Sequence, residues 1–402
     1  MISVLHNQRV LLGVTGSIAA YKAPDLASKL TQAGALVDVI LTDSAARFIT
    51  ALSFESVTGR RVHTDLWAAD AHVQHIGLAE GAALLVVAPC SADTLAKLAH
   101  GRADNLLTIT ALAAHCAMLL APAMDGGMWL HPAVQANLQT LLQRGAHCAG
   151  PAAGRMASGQ TGIGRMLEPA QLLGHIRLAL GAGGVLAGRQ IVVTAGGTHE
   201  AIDPVRLLTN RSTGKQGFAL AQAALDLGAQ VTLISGPSAL ETPEGAVRID
   251  VQTGQQMQRA VLQAAATADA LLMAAAVSDY RPQTTAPQKL KRSATATALA
   301  LEPNPDVLAA VVAQRAQGGW PRVLVGFAAE SENLLENAAA KLRSKQLQLV
   351  AANNISEPGA GFGTDTNRVT LLDAQGGVEE LPLQSKALVA ERICARVAAL
   401  LQ

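Results

Sequence analysis

Short apolar runs without polar alternation recur along the first half of the chain, each followed by a stretch long enough for a helix. The pattern predicts strands over Val10–Gly13, Leu36–Leu41, Ala83–Ala88 and Met118–Ala121. Between and after them it predicts helices over Ala19–Gln32, from Thr94 to Ala99, over Leu107–His115, His131–Gly145 and Pro169–Ala179. A strand buried on both faces loses its period of two, so the arrangement implies a mostly parallel sheet covered by helices on both sides. The segment Gly150–Met166, rich in glycine, reads as an ordered loop or flap.

The pattern restarts at Gln190, with strands over Ile191–Thr194, Val231–Ser235, Leu271–Ala275, Val323–Phe327 and Leu349–Ala351. Helices are expected over Phe218–Leu227 and Glu332–Lys345, an antiparallel hairpin from Thr370 to Leu383, and a final helix over Lys386–Leu401. The stretch from Asp279 to Pro305, with its Lys, Thr and Pro, breaks the pattern and reads as an irregular loop. The fold class is therefore α/β, with two doubly wound, mostly parallel-sheet domains. The first spans residues 1–180 and the second 190–402, joined by a glycine-rich linker at 181–189.

At 402 residues, half of them apolar, each half can bury its own core. Only 2% are aromatic, so the cores should be Leu/Val/Ala layers. A net charge of +1 spread along the chain gives no stripe for nucleic acid, so anionic partners should be small and locally held. Four cysteines without a C-x-x-C pair fit a reducing cytoplasm, and no basic leader precedes a long apolar stretch at the start. Leu106–Met124 lacks charged residues but contains His115 and Pro122, and reads as a buried helix and strand rather than a membrane span.

Polar residues gather at the strand ends. Gly13-x-x-Gly16-Ser17 lacks the third glycine of a dinucleotide fingerprint, yet it places amides and the Ser17 hydroxyl at a helix start, where a phosphate can be held. Thr42 and Ser44 follow the second strand, and Ser91 and Thr94 the third, so three polar ends should converge on one cofactor. His75 precedes a buried-looking Ile-Gly-Leu and is either structural or a proton carrier. In the second half, Gly196-Gly197-Thr198 offers an amide-rich turn, and Asn210–Gly217 combines amide, guanidinium, hydroxyl and ammonium donors without being a P-loop. Asp279 ends a strand where a carboxylate can accept from a base or bind a divalent ion, and Lys289 and Lys291 form a basic run. Lys341 and Lys345 lie four apart on one helix face, a mildly unfavourable pair unless an anion joins them.

In this order, Gly13–Lys22, His75, Pro89–Thr94, Pro122-Ala-Met-Asp125 and the Gly154–Met166 flap resemble the flavin-dependent cysteine decarboxylase half of the bifunctional phosphopantothenoylcysteine decarboxylase/phosphopantothenate–cysteine ligase family. The second half resembles that family's ligase domain, so the resemblance covers nearly the whole chain. It implies a flavodoxin-like first domain and a Rossmann-like second one. It implies FMN, held through Gly16, Ser17, Thr42, Ser44, Ser91 and Thr94, and an oxidative decarboxylation in which a thiocarbonyl accepts the electron pair released with carbon dioxide. His75, Asp125 and Ser158 would be its catalytic residues.

For the ligase, the resemblance implies a CTP site of Ala275, Asp279, Lys289, Pro305, Asp306, Val307, Leu308, Phe327, Lys341 and Lys345. Mg2+ or Mn2+ would compensate charge, with Asp279 as a metal contact, while Lys289 would help form the acyl-cytidylate and Asn210 would act on it. The substrates would be phosphopantothenate and cysteine, the location cytoplasmic, and the assembly flavin-domain trimers with ligase-domain dimers, up to a dodecamer.

Two residues depart from the family pattern: Asp125 stands where an Asn is common, and Ser158 where a cysteine acid is common. An ionised Asp125 would repel a substrate carboxylate, and a serine hydroxyl is a far weaker acid than a thiol. The departures leave two further readings of the first domain, an altered oxidation or a structural role.

Overall fold

The computed structural model describes residues 4–67, 74–155, 159, 161–292 and 298–402, and the chain divides into two compact units, Met1–Gly181 and Ala182–Gln402. The first unit contains strands β1 (Arg9–Val14), β2 (Leu36–Leu41), β3 (Val62–His63), β4 (Leu84–Cys90), β5 (Ala117–Pro122) and β6 (His147–Cys148). They form one parallel sheet in the order β3-β2-β1-β4-β5-β6. All of β4 is buried, and β1 and β2 bury all but their first residue, which is why they read as unbroken apolar runs. A separate antiparallel pair, β7 (Ala152–Arg155) and β8 (Thr161–Arg165), occupies the expected flap, so that segment is a hairpin rather than a loop.

Helices α1 (Ala23–Gln32), α2 (Ala51–Thr58), α3 (Gln74–Glu80), α4 (Ala92–His100), α5 (Leu106–Ala113), α6 (Gly126–Trp129), α7 (Pro132–Gln143) and α8 (Pro169–Gly181) surround the sheet. Neighbouring Leu11 and Leu12 of β1 enter opposite layers, the first with Leu85, Leu95 and Leu107, the second with Leu26, Phe54 and Ile176. The helix expected over Ala19–Gln32 is divided: a 3-10 turn covers Ile18–Lys22, and α1 begins at Ala23. Pro24 explains the break, because a residue without an N–H fits the first turn of an α-helix and not its interior. Helix α2 went unpredicted because Phe54 is the one residue it fully buries, leaving no apolar stripe. Leu106–Met124 contains α5 and β5, and among the described residues no helix is long and apolar enough to cross a membrane.

The second unit contains β9 (Gln190–Ala195), β10 (His199–Ala201), β11 (Leu207–Thr209), β12 (Gln230–Ser235), β13 (Val247–Asp250) and β14 (Ala270–Met273). Further along come β15 (Tyr280–Pro282), β16 (Leu301–Pro303), β17 (Val323–Glu330), β18 (Leu349–Asn354), β19 (Thr366–Asn367), β20 (Thr370–Asp373), β21 (Val378–Glu380) and β22 (Gln384–Ser385). Its main sheet runs β13-β12-β9-β14-β17-β18-β20-β21, parallel through β18 and antiparallel for the last two strands. Among the described residues, three antiparallel pairs stand outside it, β10–β11, β15–β16 and β19–β22. The expected irregular loop from Asp279 to Pro305 is thus closed at its base by β15 and β16.

Helices α9 (Lys215–Asp226), α10 (Gly254–Ala265), α11 (Val307–Gly318), α12 (Leu334–Ser344) and α13 (Lys386–Leu400) complete the unit. Helix α9 starts three residues ahead of the expected Phe218, because Gly214, at φ +85°, supplies a left-handed N-cap. Gly217 then brings α9 against the end of β9: a Cβ there would lie 2.5 Å from the Ala195 Cβ and 2.7 Å from the Thr194 carbonyl oxygen.

Gly217→Ala should therefore destabilise this unit by roughly 1–3 kcal/mol, since backbone must move to make room. Gly318→Ala, at a helix position with nothing within 4 Å, should be neutral or slightly stabilising. Denaturant melts of the two variants check this, and equal stability of both would refute the close-packing account.

Candidate functional sites

In the first unit the chain leaves β1 toward β2 on one side and leaves β4 toward β5 on the other, so the crevice between the ends of β1 and β4 is a topological switch point. The buried Thr15 hydroxyl holds it: Oγ1 donates to the Pro89 carbonyl at 2.7 Å and accepts from the Ser91 N–H at 3.0 Å. Ser17 caps the 3-10 turn by accepting from Ala19 N–H at 3.3 Å, and Ser91 caps α4 by accepting from Thr94 N–H at 3.3 Å. The loop after β2 meets them, since a Cβ on Gly16 would fall 2.5 Å from that of Ser44. Thr42 turns inward, its Oγ1 donating to Val14 O and accepting from Ala45 N–H. The three polar strand ends thus converge, with Ser17 and Ser91 half-buried and Ser44 exposed. These hydroxyls and turn amides suit a phosphate group.

The hairpin β7–β8 is seated beside this crevice. Met124 N–H donates to Gly164 O at 3.0 Å, and a Cβ on Gly164 would lie 2.2 Å from Met124 O, so β8 rests directly on the Met124–Gly126 backbone. The buried Lys22 secures its far end, donating to Met166 O at 3.2 Å and Glu168 Oε1 at 2.6 Å. Asp125 is the N-cap of α6, with Oδ1 accepting from Gly127 N–H at 3.0 Å. His75 is the second residue of α3, half-buried, on a helix packed against α5 rather than at a strand end. Ser158 lies outside the described residues. Cys90, at the end of β4, is wholly buried, and burial raises its pKa, which makes its thiol a poor acid for a substrate in the crevice.

The second unit holds a cavity of about 650 Å3 at the switch point where β9 and β14 part. Its floor is Ala275 and Asp279 after β14, with Phe327 of β17. One wall is Pro305, Asp306, Val307 and Leu308 at the start of α11, and another is Lys341 and Lys345. Asn210 lies at the mouth, its Nδ2 donating to Ala276 O at 3.1 Å, and α9 begins there without a side-chain cap. Lys289 is exposed and is not among the lining residues.

The two lysines avoid each other by finding separate acceptors. Lys341 Nζ donates to Phe327 O at 2.6 Å, and Lys345 Nζ pairs with Asp306 Oδ2, whose Oδ1 caps α11 at Ala309 N–H. Burial lowers the pKa of the Lys341 ammonium, against the opposing pull of Glu330, Asp279 and Asp306. For Asp306 burial acts upward, but the bonds from Lys345 and Ala309 hold the carboxyl below its ordinary value. Among the described residues no group of three His, Cys, Asp or Glu side chains could hold a metal; the carboxylates that line the cavity are Asp279, Asp306 and Glu330.

Sequence reasoning passed over one wall altogether, the loop at Gly361–Gly363 with Asn353, Asn367 and Lys386. Lys386 is buried and donates to Gly361 O at 3.0 Å and Thr364 O at 2.7 Å. The run Gly359-Ala-Gly-Phe-Gly363 was its available signal.

Comparison with known proteins matches residues 3–180 to the Flavoprotein family and residues 186–401 to the C-terminal domain of the DNA/pantothenate metabolism flavoproteins. The coenzyme A biosynthesis bifunctional protein CoaBC of Vibrio cholerae is 44% identical over 393 residues, covering 97% of each chain. The protein of the same name from Bacillus subtilis is 43% identical, covering 99% of this chain and 98% of its own, and that from Mycobacterium bovis 46%, covering 96% and 95%. The chain belongs to the family of bifunctional coenzyme A biosynthesis proteins.

Within this bifunctional family member the two glycine turns differ. Gly16 and Ser17 are half-buried at an open crevice, whereas Gly196, Gly197 and Thr198 are buried and are not among the residues lining the 650 Å3 cavity. The expected amide-rich anion turn at 196–198 is corrected accordingly: Gly196 O accepts from Ala276 N–H at 2.8 Å and Thr198 N–H donates to Ala276 O at 3.3 Å. Those bonds extend the sheet beyond β14, and the second of them occupies the Thr198 N–H. The uncapped start of α9 takes the turn's place at the cavity.

Because burial has lowered the Lys341 pKa, an anionic ligand in this cavity should bind more weakly once pH exceeds that lowered value, before an ordinary lysine would discharge. Lys341→Arg keeps its charge throughout and should remove the alkaline fall. Calorimetric titration with CTP between about pH 7 and 11 tests this; the same decline in both proteins would rule Lys341 out as its source.

Proposed function

We propose that the second unit joins 4'-phosphopantothenate to cysteine using CTP, and that the first, with FMN, decarboxylates the resulting phosphopantothenoylcysteine to 4'-phosphopantetheine. The order of reaction is thus the reverse of the order of the domains. The observation that carries the reading is the cavity, which gathers Asn210, Asp279, Lys341 and Lys345 around an uncapped helix start at the switch point of a parallel sheet. A cytoplasmic location is part of the same reading.

A carboxylate is a poor acyl donor until one of its oxygens joins a good leaving group. In the ligase unit a phosphopantothenate oxygen attacks the α-phosphorus of CTP and pyrophosphate departs. The cysteine amine then attacks the acyl carbon and CMP departs. Lys341 and Lys345 face the phosphate charge, and Asp279 with the phosphate oxygens suits one Mg2+, an ion commonly held by one carboxylate and a nucleotide. Lys289 is assigned to the first step. Asn210, fixed by its bond to Ala276 O, is assigned to the second, where its amide hydrogen-bonds developing charge and does not titrate.

In the flavin unit, Ser17, Ser91 and Thr94 with the turn amides fit the phosphate end of FMN, with Thr42 and Ser44 completing the crevice. Bound there, FMN supplies a reversible two-electron oxidation of the substrate thiol. His75 is assigned to proton handling and the hairpin β7–β8 to closing the site, while Ser158, outside the described residues, keeps its assigned catalytic role. Asp125 already accepts from Gly127 N–H, and we assign it to accept from the substrate's amide N–H as well. Ile18, Tyr21, Phe48 and Leu52 are exposed apolar side chains, and we assign them to contacts in trimers of this unit, alongside ligase dimers and assembly up to a dodecamer.

The Asp125 and Ser158 departures favour one second reading, a working ligase fused to a flavin domain of altered oxidation or structural role.

A coupled assay with phosphopantothenate, cysteine, CTP and Mg2+ should yield CMP, the condensed acid and 4'-phosphopantetheine. Accumulation of the condensed acid without carbon dioxide would replace the first reading by the second, and absence of CMP would remove both. Asn210→Asp should let the acyl-cytidylate form and then stall, so unimpaired overall ligation would end its assignment. Asp125→Ala should cost roughly 1 kcal/mol of stability through the lost cap and slow decarboxylation about tenfold. Asp125→Asn keeps an acceptor and should restore most of both, and a variant as slow as the alanine one would contradict this.

A further inference from the structure

The basic run around Lys289 is docked to the turn between β10 and β11. Thr285 Oγ1 donates to Ala201 O at 3.0 Å, and Ala286 N–H donates to Ile202 O at 3.0 Å. Leu290 N–H then donates to Asp203 Oδ2 at 3.1 Å, while Arg206 Nη2 donates to Leu290 O. Both main-chain groups of the residue after Lys289 are therefore held by side chains of one turn.

Asp203 is built for that contact. Its side chain is fully buried, with Oδ1 accepting from Val205 N–H at 2.7 Å and Arg206 N–H at 2.8 Å, and Oδ2 3.3 Å from Arg206 Nε. Burial acts to raise its pKa, but the N–H groups of Val205, Leu290 and Arg206 outweigh it and hold the carboxyl below its ordinary value. A buried carboxylate surrounded by donors loses heavily when one oxygen is exchanged for another donor. The hairpin itself is pinned at both ends: Glu200 Oε1 accepts from Gly254 N–H at 2.8 Å, and Asn210, next to β11, donates to Ala276 O. The exposed Lys289 side chain takes its place from this framework.

We propose that Asp203 is a positioning residue for ligation, fixing the main chain at Lys289 through Leu290 and coupling that segment to the hairpin that leads to Asn210. The proposal rests on the assignment of Lys289 to acyl-cytidylate formation.

The test uses the full chain and separates the two half-steps by rapid quench: cytidylate formation from phosphopantothenate and CTP without cysteine, then a chase with cysteine. Asp203→Asn turns an NH2 group toward Leu290 N–H and Arg206, and should slow cytidylate formation by about 10- to 100-fold, the cost of a small misplacement. The cysteine chase should change less than about threefold on the same scale. Leu290→Pro removes the donor from the exposed side of the same bond, should show the same selective loss, and carries the test if Asp203→Asn does not fold. Combining Asp203→Asn with Lys289→Gln should be no slower than Lys289→Gln alone, because the two act through one group. Wild-type cytidylate formation by Lys289→Gln would sink the Lys289 assignment and this inference with it. A slow Lys289→Gln beside fast Asp203→Asn and Leu290→Pro would overturn the inference alone, as would equal slowing of both half-steps or multiplicative losses in the double variant.

Discussion

Buried threonine hydroxyls join the central strands of both units just where the parallel ladder runs out. Thr15 bridges Pro89 and Ser91 in the first unit; in the second, Thr194 Oγ1 accepts from Ala275 N–H and Thr198 Oγ1 from Ser278 N–H, each at 3.0 Å. A parallel sheet whose crossovers leave in opposite directions must open a crevice at its carboxyl edge, where main-chain groups lose their ladder partners. A threonine satisfies such groups from within one strand, keeping the edges together without filling the gap. The polar strand ends then stand at fixed separations, as a small anionic ligand requires.

Both units solve this problem alike but spend the adjoining glycine turn differently. In the first, Gly16 allows the β1 turn to approach Ser44 while Ser17 stays accessible. In the second, the turn at Gly196 is drawn into the sheet by Ala276, and the start of α9 is left to face the cavity. Lys341 and Lys345 illustrate the same economy of partners: a carbonyl and a carboxylate keep two cations close together at one rim.

The strands were readable because burial on both faces leaves a continuous apolar run, and β2 falls at the bounds its sequence suggests. Two helices with weak apolar stripes were not, α2 with Phe54 buried and α11 with Val307, Leu308 and Val311, whereas α12 was expected although it buries Ala338 alone. Helix α10 carries a Thr253–Gln256 capping box that could have marked it. At the sites, local sequence presents Gly16-Ser17 and Gly196-Gly197-Thr198 as equivalent turns. The distinction lies in Ala276, some eighty residues onward, and no local pattern contains it. Asp203 was silent for the same reason, since its partner Leu290 is distant in sequence. Asp279 and the Lys341–Lys345 pair stood out singly, but their union in one site was reachable only through family resemblance, because spacing alone does not bring three strand ends together.

Lys386 begins α13 with its ammonium on the carbonyls of the cavity loop, and α13 packs along α9, whose own first turn faces the same cavity. Two helices that touch along their length thus each deliver one end to the ligand. A ligand that binds only this arrangement stabilises it by mass action, and part of that stabilisation falls on the seam between the helices. Packing between α9 and α13, at residues outside the cavity, is in this sense a term in the binding equilibrium of whatever the cavity holds.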